Sequence, residues 1–163
     1  MTSMKKNVKN KLTGAEIKTL VRLLKKVKLP APYPVFIALC KSVPLIAIDL
    51  AVMPDDQHVL LTHRKDEFYD GWHIPGSILR YGEKVEDAFK RVARQELNIS
   101  ISNPSFNYYF VYHGKREFGI ALLFTAKPKT KIKIGEYFLL SQMPKNFLEV
   151  QIPEINYLKN RNS

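Results

Sequence analysis

Gly71-Trp72-His73-Ile74-Pro75-Gly76-Ser77-Ile78-Leu79-Arg80-Tyr81-Gly82-Glu83 runs directly into Lys84 to Ile99, and the reading of this stretch decides the fold. A short aromatic strand enters Pro75-Gly76, and a loop closes at Tyr81-Gly82-Glu83. Val85, Ala88, Phe89, Val92 and Leu97 then recur on one face, which predicts a helix from about Val85 to Leu97. Asn98 follows where a left-handed cap residue is often wanted, a conformation asparagine tolerates better than most. The helix carries Arg91, Gln95 and Glu96 among its apolar positions. Loop glycines beside a helix with an acidic last turn can surround a hard cation such as Mg²⁺ with carbonyl and carboxylate oxygens.

Upstream, Pro44 to Met53 reads as a buried strand, apolar throughout except for Asp49. Pro54-Asp55-Asp56-Gln57 is a turn and His58 to Arg64 the returning strand, so the two are expected to pair as a hairpin. Lys65 to Asp70 is a charged loop. Downstream, Phe106 to His113 and Phe118 to Ala126 are two more strands, joined by Gly114 to Glu117 in a second hairpin. Lys127 to Lys133 is a basic, irregular connection, Glu136 to Ser141 a short strand, and Pro153 to Asn160 a last short helix. Strands and helices alternate without repeats or low complexity, the pattern of a mixed α/β domain.

At 163 residues, one domain is the natural expectation, and a hydrophobic share of 45% supplies a core without help from metal or disulfides. The single cysteine, Cys40, excludes an intramolecular disulfide and reads as a small packed hydrophobe. No apolar run reaches the ~18 residues of a membrane span. The expected location is the cytoplasm.

Charge is unevenly placed. The formal net charge is +11, and residues 1 to 28 hold nine Lys or Arg against Glu16 alone. Residues 1–12 read as a mobile basic tail. Thr13 with Glu16 fits a capping box at the start of a helix over 13–29. In that helix Ile17, Leu20, Val21, Leu24 and Val27 recur at helical spacing, and Pro30, Pro32 and Pro34 end it. A field of this sign favours polyanions such as nucleotides, with nucleic acid the weaker alternative. Solubility and a solvated helix face account for it equally well.

Residues 75 to 99 resemble the signature of the Nudix hydrolases, Mg²⁺-dependent enzymes that cleave nucleoside diphosphates linked to another group. That signature runs glycine, five residues, glutamate, seven residues, Arg-Glu-aliphatic, one residue, Glu-Glu, one residue, Gly-aliphatic. Here Ser77 stands at the first glycine, preceded by Gly76, and Glu83 and Arg91 fall at the family spacing. Val92 replaces the next glutamate, Ala93 takes the aliphatic place and Gln95 replaces the first of the paired glutamates. Glu96 is retained, Asn98 replaces the last glycine, and Ile99 is aliphatic. The pattern is similar to the GDP-mannose mannosyl hydrolase branch, which lacks the same two glutamates. Pro44 to Asp49, Leu60-Leu61 with Arg64, and Ala88-Phe89 also match that branch.

The resemblance implies a Nudix-type α/β/α sandwich with a mixed central β-sheet, the basic N-terminal helix preceding it within a single domain over 13–163. It implies that the Gly76 carbonyl and the Glu96 carboxylate hold Mg²⁺, with phosphate oxygens and water completing the shell. Arg91 would clamp the leaving group or pair with Glu83 to hold the loop. Arg64 would contact phosphate and Asp49 a sugar hydroxyl, although Asp49 inside an apolar strand could equally have a structural partner.

The departures bear on catalysis. In the mannosyl hydrolase branch a Gln-His pair before the late strand supplies a metal ligand and the base; the equivalent stretch here, Lys131 to Glu136, has none. Ile78 or Leu79 occupies the place of an arginine that follows the paired glycines. The general base is therefore unassigned, with His113 a candidate and Glu117, Glu67 and Glu136 in loops that could border the pocket; His73 reads as packed or surface. Three readings follow: a hydrolase of a nucleotide sugar or similar diphosphate, a catalytically silent module on the same fold that binds a nucleotide or partner, and a basic N-terminus that binds RNA or an acidic surface. A homodimer stays open under all of them.

Overall fold

The computed structural model describes residues 12–28 and 30–161. The expected basic tail, apart from Leu12, and the expected helix end at Leu29 lie outside the described residues. The chain divides into two compact units, 1–32 and 33–163. In the first, helix α1 (Gly14–Leu24) opens on the anticipated capping box: Glu16 N–H donates to Thr13 Oγ1 at 3.3 Å, and Thr13 N–H donates to Glu16 Oε2 at 2.7 Å. Its regular helix ends at Leu24, short of the predicted bound, and none of its residues is buried.

The second unit begins with a helix the sequence reading did not anticipate, α2 (Tyr33–Ser42). Its prolines read as breakers, yet Pro34 sits in the first turn, where a missing N–H breaks no helical bond. Cys40 is its buried residue, as expected. Strands β1 (Leu45–Val52), β2 (His58–Lys65), β3 (Asp70–His73) and β4 (Gly76–Ile78) follow. Helix α3 (Val85–Val92) continues into a π-helical turn, Ala93–Leu97. The chain then makes β5 (Ser105–His113), β6 (Phe118–Ala126) and β7 (Glu136–Leu139), a short turn of 3₁₀-helix at Glu149–Gln151, and α4 (Ile152–Asn160).

The strands form a four-stranded sheet in the order β4-β1-β6-β5 and a three-stranded sheet β3-β2-β7. The first is mixed, because β1 runs parallel to β6 and antiparallel to β4. The hairpin β5–β6 is as expected. The hairpin expected between β1 and β2 is not formed: β2 pairs with β3 and β7 in the other sheet. From Ile48 to Val52 every residue of β1 is buried, and so are Val59 to Thr62 of β2. Strands buried on both faces do not advertise their neighbour by alternation. Asp55 redirects the chain instead, its Oδ1 accepting from the N–H groups of Gln57 and His58, each at 2.8 Å.

Alternation along β1 sorts the core into two layers. Ile48, Leu50 and Val52 meet Ala88, Phe89 and Val92 of α3, with Leu97 and Ile99 beyond it. Ala51 and Met53 belong to the opposite layer, with Leu123, Ile74 and the α4 side chains Ile155 and Leu158. Helices therefore cover both faces of a mixed sheet, the α/β/α arrangement the sequence reading expects. By the same alternation Asp49 belongs to the α4 face.

The loop between β4 and α3 is fixed by one ion pair. Arg91 Nε donates to Glu83 Oε1 at 2.7 Å and its Nη2 to Glu83 Oε2 at 2.8 Å. Nη1 donates to Ser77 Oγ at 2.8 Å and Nη2 to the Ile78 carbonyl at 3.1 Å. Glu83 Oε2 also accepts the Arg80 N–H at 2.9 Å. Only 9% of the Arg91 side chain and 13% of the Glu83 side chain reach solvent. The planar guanidinium fork satisfies strand, loop and helix at once, which lysine could not do. At the other end of α3, Asn98 adopts the expected left-handed conformation, with φ 52°.

Hydrogen bonds from Arg91 hold the Glu83 carboxyl down at about 2. A depressed carboxyl pKa stabilises the fold above its ordinary value of 4.5, and that contribution disappears as pH falls towards about 2. Arg91→Met keeps the stem and removes the fork, so it is expected to cost about 2 kcal/mol in urea unfolding at neutral pH. Between pH 4.5 and about 2 the wild-type urea midpoint should then fall more steeply than that of the variant.

Candidate functional site

The site grows from a three-residue ladder. β4 pairs with β1 so that Gly76 lies opposite Asp49, Ser77 opposite Ile48 and Ile78 opposite Ala47. Only glycine fits at 76, because a Cβ there would overlap Asp49 Oδ1 and lie 2.8 Å from the Ile48 carbonyl. The Gly76 N–H donates to Glu96 Oε2 at 3.2 Å. Glu96 reaches this point from the π-helical turn, a device that shifts side-chain phase within a helix and recurs at functional sites.

Burial and the neighbouring Asp49 charge push the Glu96 carboxyl up to about 7, although the Gly76 hydrogen bond opposes them. Asp49 is pushed up to about 6, again chiefly by burial, against hydrogen bonds from Glu154 and Gln151. Buried carboxylates of this kind favour a proton or a cation. The donor set of the Gly76 peptide and the Glu96 carboxylate offers hard oxygens, so it fits Mg²⁺, which keeps several waters and uses few protein ligands. Among the described residues no three His, Cys, Asp or Glu side chains converge as in an all-protein metal cage.

Asp49 and Gly76 line a cleft of about 100 Å³. A cavity of that size encloses a linkage rather than a whole substrate, since pockets for drug-sized ligands run to about 300–1,000 Å³. Arg64, Arg116, Tyr112 and His73 contribute to its walls, and Gln151 and Glu154 come from the α4 side. Arg64 is held by Asp66, with Nε to Oδ2 at 2.6 Å, and its guanidinium lies 4.8 Å from the centre of the Tyr69 ring. Arg116 is paired with Glu117 at 2.6 Å. Burial and nearby Arg64 lower His73 to about 4, so its imidazole is neutral and only weakly basic at neutral pH. Thr62 Oγ1 sits 3.1 Å from its Nε2.

Of the residues expected to form a site, Asp49, Arg64 and Gly76 line the cleft and Glu96 stands against Gly76. Glu83 and Arg91 take the loop-holding alternative; they reach the cleft only through Ser77 and Ile78, which line it. His113 is not brought to this cleft. It is exposed at the end of β5, its ring 4.7 Å from that of Phe118. Tyr33 Oη donates to Glu67, and Glu136 belongs to β7. Glu117 is the one of the three loop glutamates that lines the cleft. The sequence reading missed Tyr112, Arg116, Gln151 and Glu154. The available signal for Glu154 was a lone acid between Pro153 and Ile155 in an otherwise apolar turn.

Comparison with known proteins places residues 43–150 in a match to the family model described as NUDIX domain. A 69-residue stretch is 36% identical to the low-salt glycan biosynthesis protein Agl8 of Haloferax volcanii, covering 42% of this chain and 44% of that protein. The chain thus matches less than half the length of that relative. Among solved structures, the MutT NUDIX hydrolase of Burkholderia pseudomallei superposes with a TM-score of 0.62 at 20% identity, over 71% of this chain and 98% of that one. The MutT protein of Methanosarcina mazei gives 0.63 at 16% identity, over 74% and 96%. At these identities the likeness is one of fold.

Raised carboxyl pKa values carry the opposite sign from that of Glu83. Their contribution to stability is present below the ordinary value of 4.5 and is lost as pH rises through about 7 for Glu96. Between pH 6.5 and 8.5, above the range in which His73 titrates, the metal-free protein is expected to lose on the order of 1 kcal/mol at Glu96. Excess Mg²⁺ should raise the melting temperature more at pH 8.5 than at pH 6.5, and Glu96→Gln should reduce both responses. Thermal melts at the two pH values, with and without Mg²⁺, check this.

Proposed function

Because this chain belongs to the NUDIX domain family, we propose that it is a Mg²⁺-dependent hydrolase of nucleoside diphosphate-linked substrates, with nucleotide sugars the favoured class. The observation that carries the reading is Glu96, a largely buried carboxylate hydrogen-bonded to the Gly76 N–H beside a cleft with two arginines in its walls. The Gly76 carbonyl and Glu96 would hold the metal, which when bound neutralises the diphosphate and improves it as a leaving group. Arg64 and Arg116 present guanidinium groups suited to phosphate oxygens. Asp66 and Glu117 keep both arginines oriented before substrate arrives. The Glu83–Arg91 pair fixes the Ser77-Ile78 wall, so the cleft keeps its shape without a contact from either residue to substrate. A sugar-linked substrate agrees with the name of the glycan biosynthesis relative.

The silent-module reading draws on a different observation. Val92, at the first replaced glutamate, is 1% exposed in the core, and Gln95 is exposed. Neither residue can supply a ligating carboxylate. Turnover decides between the readings. Incubation with Mg²⁺ and a panel of nucleoside diphosphate sugars is expected to release product, and Glu96→Gln should lower kcat on the order of 100-fold. No release from any member, with the variant indistinguishable from wild type, would leave the binding module.

A further inference from the structure

We propose that Asp49 and Glu154 form a second carboxylate site for a divalent cation of the Mg²⁺ class, on the α4 wall of the cleft. Asp49 is 8% exposed and Glu154 only 2%. Carboxylates are almost never buried to this degree without a partner that offsets the loss of hydration. Among the described residues neither forms an ion pair with Lys, Arg or His. The two carboxyl groups lie beside each other in the cleft lining, with the Gln151 carboxamide next to them.

Gln151 has little more to give. Its Oε1 accepts the Ile74 N–H at 2.8 Å and its Nε2 donates to the Ile74 carbonyl at 3.2 Å, so the carboxamide is pinned by the backbone. Glu154 Oε2 is left buried with no hydrogen-bond donor. An orphaned carboxylate oxygen of this sort is among the costliest groups a fold can retain. Both side chains line the cleft, so a cation can reach them along the path a phosphate would take. Two hard carboxylate oxygens with water and phosphate completing the shell is a normal Mg²⁺ donor set.

This reassigns Asp49, expected from the family resemblance to meet a sugar hydroxyl. It also supplies acidic ligands from β1 and α4, where the helix of the motif carries Val92 and Gln95 in place of two glutamates of the family signature. The purpose of the site, though not its existence, rests on the hydrolase reading, in which a second ion would share the charge of the diphosphate.

Mn²⁺ serves as the probe, with bound ions counted by loss of the free-ion electron paramagnetic resonance signal in titrations without nucleotide. Wild type is expected to bind two ions per chain, Glu154→Gln to keep the Glu96 ion, and Glu96→Gln to keep the other. The ion lost in Glu154→Gln should weaken at least roughly tenfold. If Glu154→Gln binds as wild type does while Glu96→Gln alone lowers occupancy, Asp49 and Glu154 merely share a proton and the proposal is overturned, with the Gly76–Glu96 site intact. If Glu96→Gln changes nothing and Glu154→Gln loses its ion, the second site stands and the hydrolase reading loses its metal ligand. Anomalous diffraction from wild-type crystals soaked in Mn²⁺ needs no variant to fold: density against both carboxylates supports the site, and none there overturns it.

Discussion

The register of β4 on β1 is the constraint on which the cleft depends. Three paired residues set Gly76 against Asp49, and the absence of a side chain at 76 lets the aspartate lie on the peptide. A slip of one residue in β4 would bring Pro75 or Ser77 opposite Asp49, where a side chain would meet the carboxylate, and carry the Gly76 peptide away from Glu96. So short a ladder does not hold its own register. The Arg91 fork does so, bonding Ser77 Oγ and the Ile78 carbonyl from the helix side while Glu83 grips the following loop. A bond network set behind the Ser77-Ile78 wall thereby decides where Gly76 stands against Asp49 and Glu96.

That arrangement concentrates acid in a strongly basic chain. Asp49 and Glu96 flank one glycine peptide, and Glu154 closes on Asp49 from α4. Burial raises all three carboxyl pKa values, while the two arginines in the cleft walls are engaged by Asp66 and Glu117. The cleft therefore sets buried carboxylates and oriented guanidinium groups in one lining. Opposite charges held in one lining can each offset a bound counter-charge, which neither group of residues achieves alone.

Local signals in the sequence translated well. Thr13 with Glu16, the left-handed Asn98, the β5–β6 hairpin and the spacing of Glu83 to Arg91 all depend on residues a few positions apart, and all are found. The failures are non-local or contextual. β1 and β2 are buried on both faces, so their pattern carries no record of which strand lies beside them. Pro34 marks the start of α2, whereas three nearby prolines read as a stop. Glu154 is a single acid in a short helix; its significance comes from Asp49, which joins it only when α4 packs on the sheet.

The altered motif gains a physical sense from burial. Position 92 lies on the apolar stripe of α3, packed with Ala88 and Phe89 against Ile48 and Leu50. A glutamate there would place a carboxylate among methyl groups unless the helix shifted to release it, so valine secures the α3 layer. Position 95 faces solvent, and its amide costs nothing. Glu96 stands at the cleft's edge because the π-helical turn aims it at the Gly76 N–H. With the helix committed to packing, two of the acids that line the cleft come from the other layer, Asp49 on the α4 face of β1 and Glu154 on α4 itself. Each side of the sandwich then contributes to one cleft, and the strand between them, β1, carries the residue that joins the two.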